Sequence, residues 1–448
     1  MTMETPICDF VNAYAGSDTL RLHMPGHKGS PLFGPEPLDI TEISGADSLY
    51  DADGIIAESE KNASALFGCP TFYSTEGSSQ CIRAMLQLVG QFARQAGNRP
   101  VIAAARNVHK SFLSAAALLD IDVTWLYPVE ADSYLSCRIT AAELDAALSA
   151  MTQKPTAVYL TSPDYLGNTA DVAAIAAVCH RYDVLLLVDN AHGAYLRFLP
   201  VSRHPIDLGA DMCCDSAHKT LPVLTGGAYL HISPTAPSFF TEQAKNALAL
   251  FGSTSPSYLT LQSLDAVNAV LAADYPTRLT AFLPAIDAFK TQLRDYGFSL
   301  IGNEPLKLTL RTKPYGYKGG QLAQFLRDHG IECEFSDPDF VVMMLAPAIS
   351  EEGLARLQAV LTAVPRLPTL SDEPPTFRRL TAAMSVREAT LAPCETVATS
   401  ACVGRVLAAP SVSCPPAVPI AVSGERMDES TAACFAYYGI DACTVVIE

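Results

Sequence analysis

Three short runs of uninterrupted apolar residues constrain the fold most: "VIAAA" (101–105), "AVYLT" (157–161) and "VLLLVD" (184–189), separated by stretches of helical periodicity. A strand with one wet face alternates apolar and polar residues. A strand covered on both faces does not, so these runs signal a mostly parallel sheet between layers of helices. Helices are expected through "GIIAESEKNASALFG" after Asp53, and from about Ser78, Lys110 and Asp171. We read residues 46–262 as a large α/β domain, preceded by a turn-rich, irregular N-terminal arm over 1–45. A smaller α+β domain follows over 263–370, opening on a long helical stretch, with strands expected in "LKLTLRT" and through "IECEFSDPDFVVMMLAP" and helices in "KGGQLAQFLRDHG" and "SEEGLARLQAVLTAV". The proline-rich "PTLSDEPPTF" then opens a C-terminal segment over 371–448.

In an open α/β sheet, ligands bind just beyond the carboxyl ends of the strands. Three groups of polar residues fall there: Arg106, Asn107 and His109 after "VIAAA", Ser162 and Asp164 after "AVYLT", and Asp189, Asn190 and His192 at the end of "VLLLVD". A fourth group, Ser216, His218 and Lys219, closes "MCCDSAHK". Each has an ordinary structural explanation, since an aspartate can cap a helix and a lysine in an apolar run can snorkel to water. Together they place a lysine, a carboxylate, imidazoles and the start of a helix at "EGSSQ" on one rim. That set matches pyridoxal phosphate, which needs a Schiff-base lysine, an acidic partner for its ring nitrogen and donors for its phosphate.

Charge and composition narrow the partners. Thirty Lys plus Arg against 47 Asp plus Glu leave a formal net charge of −17, which argues against a nucleic-acid backbone or an anionic membrane surface. The start "MTMETPICDFVNAYAG" lacks the basic and apolar pattern of a secretory signal, and no run reaches the ~20 apolar residues of a membrane span. We therefore expect a cytoplasmic protein. Its 13 cysteines include no CxxC pair and read as small buried hydrophobes, so no metal site is expected.

The ordered motifs "LHMPGHKGS", "DGIIAESEKNASALFG", "EGSS", "RNVHKSF", "DNAHGA", "DSAHKTLPVLTGGAYL", "STSPSY" and "CPPAVPI" run nearly end to end. With them the chain resembles the ornithine/lysine/arginine decarboxylases, a family of fold type I pyridoxal-phosphate enzymes, and within it the short members that lack an extra N-terminal domain. The resemblance implies that Lys219 forms the Schiff base, that Asp189 partners the pyridine nitrogen and that His109 stacks on the ring. It implies that His192 lies near the ring's phenolic oxygen and that Ser78, Ser79, Ser216 and His218 hold the phosphate. Thr254 would reach the phosphate of a neighbouring subunit, which implies a homodimer with shared active sites, open to further assembly.

Three positions depart from the family pattern: Asn190, where many relatives have an acidic residue; Tyr195, where many short relatives have a histidine; and Ala417, where glycine is usual. The implied reaction is α-decarboxylation of lysine, arginine or ornithine to the amine and CO2. A cationic substrate side chain needs an acidic partner, for which Glu76, Asp164 and Glu425 are available. Two other readings fit the same cofactor. One is a different fold type I reaction, transamination or β-elimination, which keto-acid formation without CO2 would reveal. The other is a non-catalytic protein that binds pyridoxal phosphate for regulation.

Overall fold

The structure, a computed structural model, describes residues 3–129, 133–376, 378–410 and 416–447. Internal contacts divide the chain into two compact units, one of Met1–Asn98 with Cys179–Arg278 and the other of Arg99–Val178 with Leu279–Glu448. In chain order the first elements are α1 (Pro6–Ala15), α2 (Ile55–Phe67), β1 (Thr71–Ser74), α3 (Ser78–Gln95), β2 (Val101–Ala105), α4 (Lys110–Leu119), β3 (Asp122–Leu126), α5 (Ala141–Ala150) and β4 (Ala157–Thr161). They continue with α6 (Val172–Arg181), β5 (Leu185–Asp189), β6 (Met212–Asp215), α7 (Ala217–Thr220), β7 (Ala228–Ile232), α8 (Ser238–Ala249) and α9 (Tyr258–Ala273). Two of the apolar runs coincide with β2 and β4, and "VLLLVD" with β5 less its first residue.

In the first unit the strand order is β1-β7-β6-β5. β5 and β6 are parallel, with Asp189 opposite Cys214, whereas β7 and β1 are antiparallel to their neighbours. Every residue of β6 and β7 is buried, which explains why neither strand alternates. The expected irregular arm holds a helix, α1. Pro6 stands at its start, where a missing N–H costs nothing, and Ile7 and Val11, one turn apart, are fully buried as α1 packs against α2 and α9. The turn signals that follow in "HMPGHKGSPLFGPEP" obscure this ten-residue amphipathic stretch.

The second unit orders its parallel strands β4-β2-β3. It continues with α10 (Tyr275–Asp295), β8 (Ser299–Ile301), β9 (Lys307–Arg311), α11 (Gly319–Asp328), β10 (Phe335–Ser336), β11 (Phe340–Met344) and α12 (Glu351–Ala363). The antiparallel sheet β10-β11-β9-β8 covers a core that includes Phe289, Leu308, Leu322, Val341 and Leu361. Its last part holds β12 (Thr381–Ala382), α13 (Val386–Leu391), β13 (Cys394–Ala398), β14 (Leu407–Ala409), β15 (Glu425–Arg426), α14 (Glu429–Tyr437) and β16 (Ala442–Val446). These form the sheet β13-β16-β14 and a short β12-β15 ladder. No described helix is long and apolar enough to cross a membrane.

Candidate active site

The first unit gathers most of the residues singled out above at the ends of β5 and β6. β5 ends on buried Asp189, whose Oδ1 accepts the Ala191 backbone N–H at 3.1 Å and lies 3.7 Å from the Cys214 thiol. The turn that follows closes through Gly193 N–H to the Asn190 carbonyl at 2.7 Å and carries His192, also buried. His192 Nε2 lies 3.1 Å from Lys219 Nζ, which extends from the short helix α7. A lysine facing an imidazole has a partner able to take its proton, which an ion pair with a carboxylate would not offer.

Ser216, three residues before Lys219, links α7 to the start of α3. α3 begins directly after Gly77, whose φ of 70° suits glycine, and Ser216 Oγ donates to Ser78 Oγ at 2.8 Å. Ser79 is the next residue of α3 and half-buried. Gly77 N–H donates to the Gly226 carbonyl at 2.8 Å, and a Cβ on Gly226 would fall 2.8 Å from the Thr75 carbonyl oxygen. The double glycine of "TGGAYL" thus lets two backbone segments touch next to the start of α3. His218 Nδ1 donates to the Gly227 carbonyl at 2.9 Å, and burial, with the Lys219 charge adding to it, holds its pKa below the usual histidine value. An anion such as a phosphate dianion lying against its Nε2 would favour the protonated ring.

Behind these residues sits a cluster the motifs did not indicate. Asp215, His204 and His231 are wholly buried, and Asp215 Oδ2 accepts Nε2–H of both histidines at 3.1 Å. Asp215 Oδ1 accepts Asn190 Nδ2–H at 2.7 Å. Burial alone would raise the Asp215 pKa, but the two imidazoles outweigh it and hold the carboxyl well below the usual range. These three residues are of a type that can ligate a metal, but their Nε2 and Oδ2 atoms are engaged with one another. The sequence did carry a signal here: a charged residue ending the buried run "MCCD" and a histidine inside "AYLHI", both in strands without alternation.

The second unit carries His109 at the N-cap of α4, where its Nδ1 accepts the Ser111 backbone N–H at 3.2 Å and lies 2.9 Å from Ser111 Oγ. That bond fixes the ring at a helix start with its other nitrogen protonated. Two of the acids proposed for a substrate cation are already engaged. Arg106 and Glu425 form a buried ion pair at 2.9 Å, and the guanidinium also donates to the Pro419 and Ile420 carbonyls. Asp164 is buried and accepts from Ser136 Oγ, Asn168 Nδ2 and two backbone N–H groups, and burial pushes its pKa up. Both carboxylates are structural, which corrects the sequence reading. Glu76 alone of the three is exposed, just before α3. Thr254 is exposed on the loop between α8 and α9.

The departures also acquire reasons. Ala417 adopts a left-handed φ of 56° while its carbonyl accepts Lys110 N–H at 2.9 Å, a conformation that explains the usual glycine there. Tyr195 is fully buried in a 3-10 turn (Ala194–Phe198). Of "CPPAVPI", Cys414 and Pro415 lie outside the described residues.

Comparison with known proteins gives a consistent result. The family model "Orn/Lys/Arg decarboxylase, major domain" matches residues 5–295. An arginine decarboxylase of Halalkalibacterium halodurans is 30% identical, with the match covering 96% of this chain and 92% of that protein. An arginine decarboxylase of Bacillus subtilis is 28% identical over 95% of this chain and 92% of its own length. Among solved structures, the lysine decarboxylase of Francisella novicida superposes with a TM-score of 0.78 at 16% identity, covering 99% of this chain and 79% of that chain. The constitutive lysine decarboxylase of E. coli gives 0.75 at 18% identity, covering 99% and 82%.

Proposed function

Because the chain belongs to the Orn/Lys/Arg decarboxylase family and is a pyridoxal-phosphate-dependent decarboxylase of a basic amino acid, we propose that its substrate is arginine and that Lys219 is the residue that binds the cofactor. The observation that carries the site assignment is the 3.1 Å approach of Lys219 Nζ to His192 Nε2 in the turn that follows Asp189. The choice of arginine rests on relatives matched over more than nine-tenths of their length that are named arginine decarboxylase.

The residues present fit pyridoxal phosphate: a lysine beside a proton acceptor, a carboxylate at the neighbouring strand end, and a helix start lined by hydroxyls where glycines replace side chains that would collide. Bound there, the cofactor supplies the electron sink that accepts the bonding pair when the α-carboxylate leaves as CO2. His192 Nε2 takes a proton from Lys219 Nζ and so makes the amine nucleophilic. Asp189 would hold the proton on the pyridine nitrogen of the cofactor, and His109 would be available to its ring. Ser78, Ser79, Ser216 and His218 would hold the phosphate, with the positive end of α3 favouring the dianion. Once CO2 has gone, Lys219 with His192 returns a proton to the substrate carbon. Glu76 is the acid we assign to the guanidinium.

We also propose a cytoplasmic homodimer in which Thr254 of one chain serves the site of the other. Its exposure supports this, as do exposed Leu20, Leu22, Leu32 and Phe33 on the N-terminal arm. The described cysteines are all free, in keeping with a reducing compartment. The test is incubation of the holoenzyme with arginine, lysine and ornithine, measuring CO2 and amine. Agmatine and CO2 from arginine are expected, with lysine and ornithine turned over at least about tenfold less efficiently, a difference of ~1.4 kcal/mol. Preferred turnover of lysine or ornithine would overturn the substrate assignment.

A further inference from the structure

A buried carboxylate is costly unless its acceptor sites are filled, and those of Asp215 are filled in a way that joins two catalytic segments. Its Oδ2 accepts from His204 and His231, and its Oδ1 accepts from Asn190, the residue after Asp189. Asp215 also stands directly before Ser216 and four residues before Lys219. We propose that Asp215, fixed between His204 and His231 and bonded to Asn190, is a positioning residue that locks the Asp189–His192 turn to the Ser216–Lys219 segment and so sets the cofactor site. This rests on the reading of Lys219 and Asp189 given above.

The turn is built around the Asn190 carboxamide. A Cβ at Gly193 would lie 2.0 Å from Asn190 Oδ1, so only glycine admits the amide in this position. Within the same turn, Ala191 N–H fixes the Asp189 carboxylate and Gly193 N–H closes on the Asn190 carbonyl. Displacing Asn190 therefore moves Asp189 and His192 together. The anchor is supported from behind: Thr71 Oγ1 lies 2.9 Å from His231 Nδ1, and Phe67 packs against both imidazoles with ring centroids at 5.6 and 4.5 Å. An aspartate at 190 would set two carboxylates against each other at the 2.7 Å contact. Asn190 and Asp215 thus act as a unit.

The test exchanges the two ends of that bond and measures pyridoxal-phosphate binding, together with the rise in Tm on adding the cofactor. Asn190→Asp is expected to weaken cofactor binding by about 10- to 100-fold and to shrink the cofactor-induced rise in Tm, as loss of a supporting contact behind a bound group does. The double variant Asn190→Asp/Asp215→Asn restores a carboxylate-amide pair with its ends reversed and is expected to recover binding to within about threefold, the mark of a coupled pair. Should Asn190→Asp fail to fold, Asn190→Ala removes the donor without adding charge and is expected to weaken binding about tenfold. The proposal is overturned if Asn190→Ala binds the cofactor like the wild type, or if the double variant binds no better than Asn190→Asp. It is equally overturned if apo and cofactor-bound Tm fall by the same amount in every variant, since that marks a purely structural role. Failure of the underlying reading is distinguishable: borohydride-reduced wild-type enzyme would then carry the cofactor on a residue other than Lys219.

Discussion

At the end of β5 in the first unit, Lys219 Nζ lies 3.1 Å from the His192 imidazole, and beyond β2 in the second, the Arg106 guanidinium lies 2.9 Å from the Glu425 carboxylate. Both are cations next to strand ends, and both belong to polar groups that follow apolar runs. The difference lies in the partner. A guanidinium and a carboxylate, each 3% exposed, neutralise each other permanently, and the carbonyls of Pro419 and Ile420 take further donors, so this pair fastens a loop. An imidazole exchanges protons near neutral pH, so the lysine it faces can change charge state. The same polar signal after a strand thus accompanies a fixed ion pair in one place and a lysine–imidazole contact in the other.

The comparison is broken most strongly at the architectural end. Glu425→Gln leaves Arg106 charged and buried without its counter-ion and is expected to destabilise the second unit by about 3–5 kcal/mol, whereas Arg106→Met with Glu425→Leu is expected to cost far less. Chemical denaturation of both variants checks this. At the chemical end, Asp189→Asn keeps the shape but removes the charge, and is expected to lower kcat/KM by about 10²- to 10³-fold with Tm little changed. Equal losses of stability and activity in both places would erase the distinction.

A third prediction concerns pH. Burial outweighs the N–H groups of Asp339 and Phe340, each 2.7 Å from Asp337 Oδ1, and pushes the Asp337 pKa up to about 7. A carboxyl whose folded pKa exceeds its unfolded value binds its proton more tightly when folded, so stability is lost as pH rises from about 4 to about 7. Asp337→Asn is expected to flatten that slope and to gain ~1–3 kcal/mol at pH 8, as read by thermal melts across the pH range. A smaller effect is expected at Ala417: replacement by glycine relieves the left-handed backbone and stabilises by about 0.5–1 kcal/mol.

The sheet and the residues gathered at its strand ends were legible because each follows from a local pattern. β2 and β4 coincide with uninterrupted apolar runs, Asp189 ends β5 with His192 in the turn after it, and Lys219 lies on α7, which follows β6. Three features were not legible for physical reasons. The helix α1 is only ten residues long, and the glycines and prolines after it dominate that region. Glu425 looked available because its partner Arg106 is 319 residues away in sequence, and Asp164 because its filled acceptor sites depend on the fold of its own loop. The Asp215 cluster joins residues from β6, β7 and the connection between β5 and β6, and only the folded sheet brings them together.

The central claim is that Lys219 is the residue joined to the cofactor, and borohydride reduction of the holoenzyme followed by peptide mapping tests it most directly. The account predicts a single reduced pyridoxyl group on the peptide containing Lys219, lost together with the visible absorbance band in Lys219→Ala. A pyridoxyl group on another lysine, or an unchanged band in Lys219→Ala, would contradict it.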